Sequence, residues 1–511
     1  MNGEGSSLGL IVRKGQLWSY SLESASSSNI RGNIVLQVTD ATRNPDAFGG
    51  QPTISIKPGD SYILEWDLAF YNSSTDFIAA TQPPATFSAF AVPLADSIVV
   101  ETPIKPTSPS AGLRISQAGH NQYLLSASSH GAYQVDIGHA RTEVSFHLPL
   151  ETIVQLRTQY ILAHQRPTQR PPPLNYAFVS VDTQNYTTVV SSTWPDWGDG
   201  SERIAMPTLL QLAAMRGWVK KETVEVALQE WVEFASTSLF DAEGNTRRCT
   251  SCSATQRPYD AVWLVMFFND RYSWLGNSAD LDTAVTLLNR AFQLGYVTDA
   301  PIIFLSFAVV ALSENLDKIG RHNESSAFQN QVIAASANFV NDGEYIPASE
   351  VSYEQSIVEP LVEMTADTYR WTNNQTFLDA TKNQLSWLLA FQGPQPHTRL
   401  FQIANRRWDD YWFGLRHQWG DVFPHYWSAL TSEALIRLPT ELRSKSTDAM
   451  ALDILRANMV NFSADGAATC AFVYPSAVNN ASANAADLLA NDQDWLLVIW
   501  MRLLDQGVPS T

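Results

Sequence analysis

The hydrophobic rhythm of this chain changes once, and that change limits what it can fold into. In the first third, apolar residues recur every second position. Asn33-Ile-Val-Leu-Gln-Val-Thr39, Ser61-Tyr-Ile-Leu-Glu-Trp-Asp67 and Tyr133-Gln-Val-Asp-Ile137 all alternate in this way. A period of two puts alternate side chains on one face of a pleated strand. Pro58-Gly59-Asp60 and Ser128-Ser-His-Gly131 supply turns between such runs. Several short strands separated by turn residues predict a β-sandwich over residues 1–149.

From Leu150 the spacing becomes helical. LETIVQLRTQYILAH places Ile153, Leu156, Tyr160 and Ile161 on one face, and RPTQRPPP, residues 166–173, cannot continue a helix. Residues 150–202 therefore read as a linker helix and a proline-rich strap. Beyond Arg203 the pattern repeats eleven times: 206–218, 223–239, 259–268, 281–294, 301–312, 326–340, 353–371, 376–391, 425–438, 447–460 and 492–504. Helices in such number, without a strict sequence repeat, fit a closed α/α toroid over residues 203–511 better than an open solenoid. The expected fold is thus a multidomain β-then-α chain, an N-terminal sandwich followed by an (α/α)6-type toroid.

Composition narrows the partners. A chain of 511 residues with formal net charge −18 repels nucleic acid and anionic membranes. No apolar run is long enough to span a bilayer; APIIFLSFAVVAL, residues 300–312, reads as a buried helix. The expected partner is a small molecule or an oligosaccharide, with no nucleic acid and no membrane, and the oligomeric state is left open. Cys249 and Cys252 form a C-x-x-C without further ligands nearby, so a local disulfide or two thiols is expected there, with no metal and no cofactor. Six glycosylation sequons, at Asn72, Asn185, Asn323, Asn374, Asn461 and Asn480, point to a secretory history, whereas MNGEGSSLGLIVRKG lacks the make-up of a signal peptide. Two localisations stay open, a secreted protein with a trimmed leader or an intracellular one.

One stretch stands out, RRWDDYWFGLRHQWGDVFPHYWS. Between Arg406 and Ser428 it holds four tryptophans, three arginines, three aspartates and two histidines. A packed core excludes such charges and an open surface excludes such rings; a ligand cleft uses both. Gly414, Gly420 and Pro424 suit an irregular loop that ends where a helix begins.

The runs Tyr353-Glu-Gln-Ser, Phe391-Gln-Gly-Pro-Gln-Pro396, Arg407-Trp-Asp-Asp-Tyr-Trp-Phe-Gly414, Gly420-Asp-Val-Phe-Pro-His-Tyr-Trp-Ser428, Asn491-Asp-Gln-Asp-Trp495 and Asp196-Trp-Gly-Asp-Gly-Ser-Glu-Arg203 resemble those of six-hairpin glycosidase-like proteins. These are (α/α) toroids that often carry an N-terminal sandwich. The resemblance implies a carbohydrate-active enzyme that cleaves glycosidic bonds by hydrolysis or by uronate elimination.

Each reaction asks for different groups. Hydrolysis needs two carboxyls flanking the bond; Glu350, Glu354, Asp409, Asp410, Asp421, Asp492 and Asp494 are available. Glu354 also suits a helix first turn, and Asp421 a helix cap. Elimination needs a base for the proton alpha to the uronate carboxylate and a cation to neutralise that carboxylate. Tyr411, His417, His425 and Tyr426 are candidate bases, and Arg407 and Arg416 candidate cations. Trp408, Trp412, Trp419 and Trp427 offer stacking faces, and Asp494 approaches from a neighbouring helix. The catalytic candidates are Glu354, Asp409, Asp410, Tyr411, Asp421 and His425. Two other readings compete. One is a toroid repurposed in secondary metabolism, such as a hetero-Diels–Alder-type cyclase folding a flat apolar substrate; the other is a non-catalytic glycan-binding module.

Overall fold

The computed structural model describes residues 5–23, 33–39, 41, 53–167, 174–182, 187–189, 198–252, 257–296, 301–342, 355–404, 421–422, 425–469, 473–474, 477–478, 481–482 and 493–511.

The N-terminal part is built of antiparallel strands. β1 (Ser7–Lys14) pairs with β4 (Glu65–Tyr71), and β2 (Ser19–Glu23) with β3 (Asn33–Gln37). The run expected as a strand at 61–67 pairs only from Glu65, and the strand continues to Tyr71, because Leu68 and Phe70 extend the same alternation. Two further sheets form the sandwich. One has the order β5 (Thr86–Phe87), β7 (Ile98–Glu101), β9 (Gln122–Ala127), β8 (Leu113–Gly119). The other has the order β10 (Gly131–Ile137), β11 (Ala140–His147), β6 (Ala91–Pro93). Ile98, Val100 and Leu125 of the first sheet pack on Tyr133, Val135, Val144 and Phe146 of the second. The period of two is thereby satisfied, with apolar faces inward and polar faces outward.

After a short helix, α1 (Ser74–Thr81), inside the β region, the helices begin with α2 (Leu150–Tyr160). Then follow α3 (Ala205–Met215), α4 (Lys221–Ser238), α5 (Pro258–Leu275), α6 (Ser278–Gln293), α7 (Leu305–Lys318) and α8 (His322–Asp342). The set ends with α9 (Gln355–Thr372), α10 (Gln375–Leu389), α11 (Ser428–Ile436), α12 (Lys445–Asn458) and α13 (Asp494–Leu504). Neighbouring contacts run α3–α5–α7–α9–α11–α13 and back to α3, which closes an inner ring. α4, α6, α8, α10 and α12 each pack outside the inner helix that precedes them. α2, expected as a linker helix, completes the outer set: Leu150, Ile153 and Val154 belong to the toroid's apolar core, and Arg157 binds α13.

Inner helices are buried on nearly every side, so apolar residues can cover the whole circumference of such a helix. α13 shows this, with Trp495 through Met501 wholly buried. α5 runs on to Leu275, beyond the expected end at Phe268. The apolar pattern stops there because Asn269, Asp270 and Arg271 are polar, yet all three are buried and paired, to Asn315, Arg502 and Asp280.

Candidate functional site

Among the described residues, five of the six inner helices lead directly into an outer partner. Gly276 and Asn277 link α5 to α6, and Asn373 and Asn374 link α9 to α10. The inner helices therefore run in one direction and all begin at one pole, where the positive ends of their dipoles converge. This is also where the ring- and charge-rich stretch enters α11.

Aromatic residues meet at this pole. Trp495 at the start of α13 lies 5.4 Å from Trp263 of α5 and 5.1 Å from Phe304, which precedes α7. Arg257 stands over Trp263 at 5.0 Å.

Three carboxylates described at the pole, Asp494, Glu202 and Asp260, are committed to partners. Asp494, fully buried, accepts from Arg157 Nε at 2.7 Å and Nη2 at 3.0 Å. Arg157 also donates to Gln165 Oε1 at 2.6 Å and to the Gly466 carbonyl at 3.2 Å. Glu202 faces both Arg257 and Arg248, and Asp260 accepts from Arg257 Nε at 2.8 Å. Burial alone would lower the Arg257 guanidinium, but Asp260 and Glu202 outweigh it and raise it. Gly200 makes this packing possible: a Cβ there would lie 1.8 Å from the Arg248 carbonyl oxygen. The adjoining loop is closed by a Cys249–Cys252 disulfide, with Cα atoms 5.0 Å apart.

His425 is buried just ahead of α11. Its Nδ1 accepts from the Trp427 N–H at 3.2 Å, which leaves Nε2 to carry the proton of the neutral ring. Its ring lies 4.6 Å from Tyr426 and 5.4 Å from Trp427. The His425 carbonyl accepts from Ser428 Oγ at 2.7 Å, so the segment is anchored where the helix starts. Tyr426 is buried and Trp427 half-buried. Asp421 pairs through its backbone with Tyr474, in a two-residue strand. Glu354, Arg407, Trp408, Asp409, Asp410, Tyr411, Trp412, Arg416, His417 and Trp419 lie outside the described residues. His397 sits at the seam with the sandwich, 3.7 Å from Glu143. Burial pushes its imidazole down to about 4, against the pull of Glu143.

Sequence reasoning missed a second set of ionisable groups along the toroid axis. Glu359, Glu363 and Asp367 recur every four residues on one face of α9 and meet Glu433 of α11 and Arg437 at its C-terminal end. Arg437 lies 2.9 Å from Glu363 and 2.6 Å from Asp367, and Ser306 donates to Asp367 at 2.5 Å. Neither Glu359 oxygen has a hydrogen-bond partner among the described residues. Burial, opposed by Arg437, pushes Glu363 up to about 8 and Glu433 up to about 6. Burial and the neighbouring Glu363 and Glu433 raise Glu359 well above the ordinary range. The signal was available: acids at a strict four-residue spacing inside the apolar run Val358 to Ala366. Among the described residues no three His, Cys, Asp or Glu side chains are grouped to hold a metal ion.

No family model matches the sequence, and no curated protein sequence does. A solved polysaccharide lyase is similar over 99% of this chain and 76% of its own, with TM-score 0.83 and 24% identity. A sugar epimerase from a ruminal bacterium overlaps more loosely, at TM-score 0.45 and 10% identity over 69% of this chain and 98% of its own. So does a family 76 glycoside hydrolase from a bovine Bacteroides thetaiotaomicron strain, at TM-score 0.44 and 11% identity over 83% of this chain and 99% of its own. The first likeness, with the closed inner ring and the two packed sheets, shows the fold: an (α/α) toroid of helical hairpins behind an N-terminal β-sandwich.

Proposed function

We propose that the chain is a carbohydrate-active enzyme that cleaves uronate-containing polysaccharide by elimination. The observation that carries this reading is the commitment of Glu202, Asp260 and Asp494 to arginines at the pole where the inner helices begin. A carboxylate locked to a guanidinium is a poor proton donor and a poor nucleophile. Hydrolysis needs two free carboxyls, whereas elimination needs a base and a cation. The stretch entering α11 is rich in the latter, with Arg407, Arg416, Tyr411, His417 and His425. Likeness over 99% of this chain and 76% of a polysaccharide lyase adds support.

In this reading, Arg407 or Arg416 neutralises the uronate carboxylate, which acidifies the adjacent carbon. Tyr411 or His417 takes the proton alpha to that carboxylate, and His425, whose Nε2 carries a proton, donates to the departing oxygen. The electron pair forms a carbon–carbon double bond and expels the glycosidic oxygen, which takes up a proton. The converging dipoles of the inner helices favour an anionic substrate at the mouth in spite of the net charge of −18. Tryptophans of the same stretch supply stacking faces for the sugar rings. Hydrolysis through Glu354, Asp409, Asp410 or Asp421 is the second reading, favoured by the number of acids in the sequence. The cyclase alternative has no comparable support.

The test is turnover measured beside melting temperature for His425→Ala, Arg416→Met, Asp421→Asn and Glu354→Gln. Elimination expects His425→Ala or Arg416→Met to lose about 100-fold or more with the fold intact. Loss confined to Asp421→Asn and Glu354→Gln supports hydrolysis.

A further inference from the structure

A cavity of about 870 Å³ lies where the β1 arm, the outer face of the sandwich and the toroid loop at His397 meet. Its floor is the β10–β11 hairpin. Tyr133, Val135 and Ile137 of β10 point into the sandwich core, so Gln134 and Asp136 point out into the cavity. The register sets Gln134 opposite Glu143 and Asp136 opposite Arg141, which makes an outward-facing polar quartet. Trp18 contributes to the wall.

The quartet is held in place. Gln134 Nε2 donates to both Asp136 oxygens, at 2.8 and 2.9 Å, which fixes its amide plane. Arg141 Nε lies 3.3 Å from Asp136, and Arg399 lies 3.1 Å from Glu143. Beyond β10, the segment at Thr107 to Ser110 bonds to the strand backbone, so that side is anchored too. Two acids are balanced by two arginines, and no net charge remains to select an ion. What is left is a rigid set of planar donors and acceptors beside an indole. Hydroxyl pairs on a sugar ring complement such groups, and the apolar face of a sugar complements the indole.

We propose that this cleft is a second glycan-binding site, which takes a neutral oligosaccharide segment and holds the polymer beside the toroid. The proposal rests on the carbohydrate reading of the chain but not on whether the reaction is elimination.

The test is calorimetric titration of the full chain with xylohexaose, mannohexaose and an oligouronate of the same length. The expected result is binding of a neutral hexasaccharide that weakens about tenfold or more in Trp18→Ala and in Gln134→Ala. Arg141→Ala, at a side chain 58% exposed, should keep the melting temperature and still weaken binding. Turnover on a trisaccharide should be unchanged in all three. Three outcomes would overturn the proposal: no heat with either neutral sugar, equal affinity in the folded variants, or cleft-dependent binding of the oligouronate in preference. Binding lost with the cleft in a protein that cleaves no uronate polymer would leave the cleft standing and remove the elimination. Cleavage without cleft-dependent binding would do the reverse.

Discussion

Arg157 and Asp494 are 337 residues apart in sequence and form a buried two-pronged ion pair, Nε to Oδ1 at 2.7 Å and Nη2 to Oδ2 at 3.0 Å. The pair joins α2 to α13 and so closes the toroid where the last inner helix begins. Removing one partner leaves a buried charge alone, which costs about 3–5 kcal/mol. Arg157→Met should therefore lower the melting temperature sharply, and Asp494→Ala likewise. If Asp494 instead served mainly as a ligand for substrate, Asp494→Ala would raise KM and leave the melting temperature near that of the wild type.

The axial acids predict an unusual pH profile. Glu363 stands at about 8, against an ordinary value of 4.5. The folded state therefore holds a proton that the unfolded chain gives up from about pH 4.5 upward. This contribution to stability is fully present below about 4.5 and is lost as pH rises to about 8. Glu433, raised to about 6, acts in the same direction over a narrower window. Glu363→Gln should raise the melting temperature at pH 8 and flatten the decline between these limits. A wild-type profile that gains stability from pH 5 to 8, unaltered in Glu363→Gln, would contradict the assignment.

Legibility followed the range of the interactions. Strand alternation and helix periodicity are local, so the β-then-α order and nearly all the helices could be read from the chain. The partner of Asp494 could not, because Arg157 lies on a helix that looks like a linker until the ring closes. Nor could the end of α5, since Asn269, Asp270 and Arg271 resemble a polar terminus and find partners only on α7, α13 and α6. At the site, the sequence singled out the stretch that enters α11 and placed Asp494 near it. It did not reveal that Asp494 is engaged by an arginine, or that Glu359, Glu363 and Glu433 face one another inside the ring.

The Cys249–Cys252 bridge closes a very short loop, so its chain-entropy contribution is about 2 kcal/mol. Reduction, or Cys249→Ser, should lower stability by about that amount and loosen the segment at Gly200 that contacts Arg248. Thiol labelling of the denatured protein should gain two reactive thiols on reduction. Elemental analysis should find no stoichiometric zinc; zinc that disappears in Cys249→Ser would refute the assignment.

The central claim is elimination, and the chemistry of the new chain end tests it most directly. Uronate polysaccharides would be digested in isotopically labelled water and the products followed by ultraviolet absorbance and mass. Elimination predicts rising absorbance from an unsaturated uronate end and no label in the products at the moment of cleavage, because no water is added. Cleavage without that absorbance, with one labelled oxygen fixed at each broken bond, would contradict the account and assign the reaction to hydrolysis.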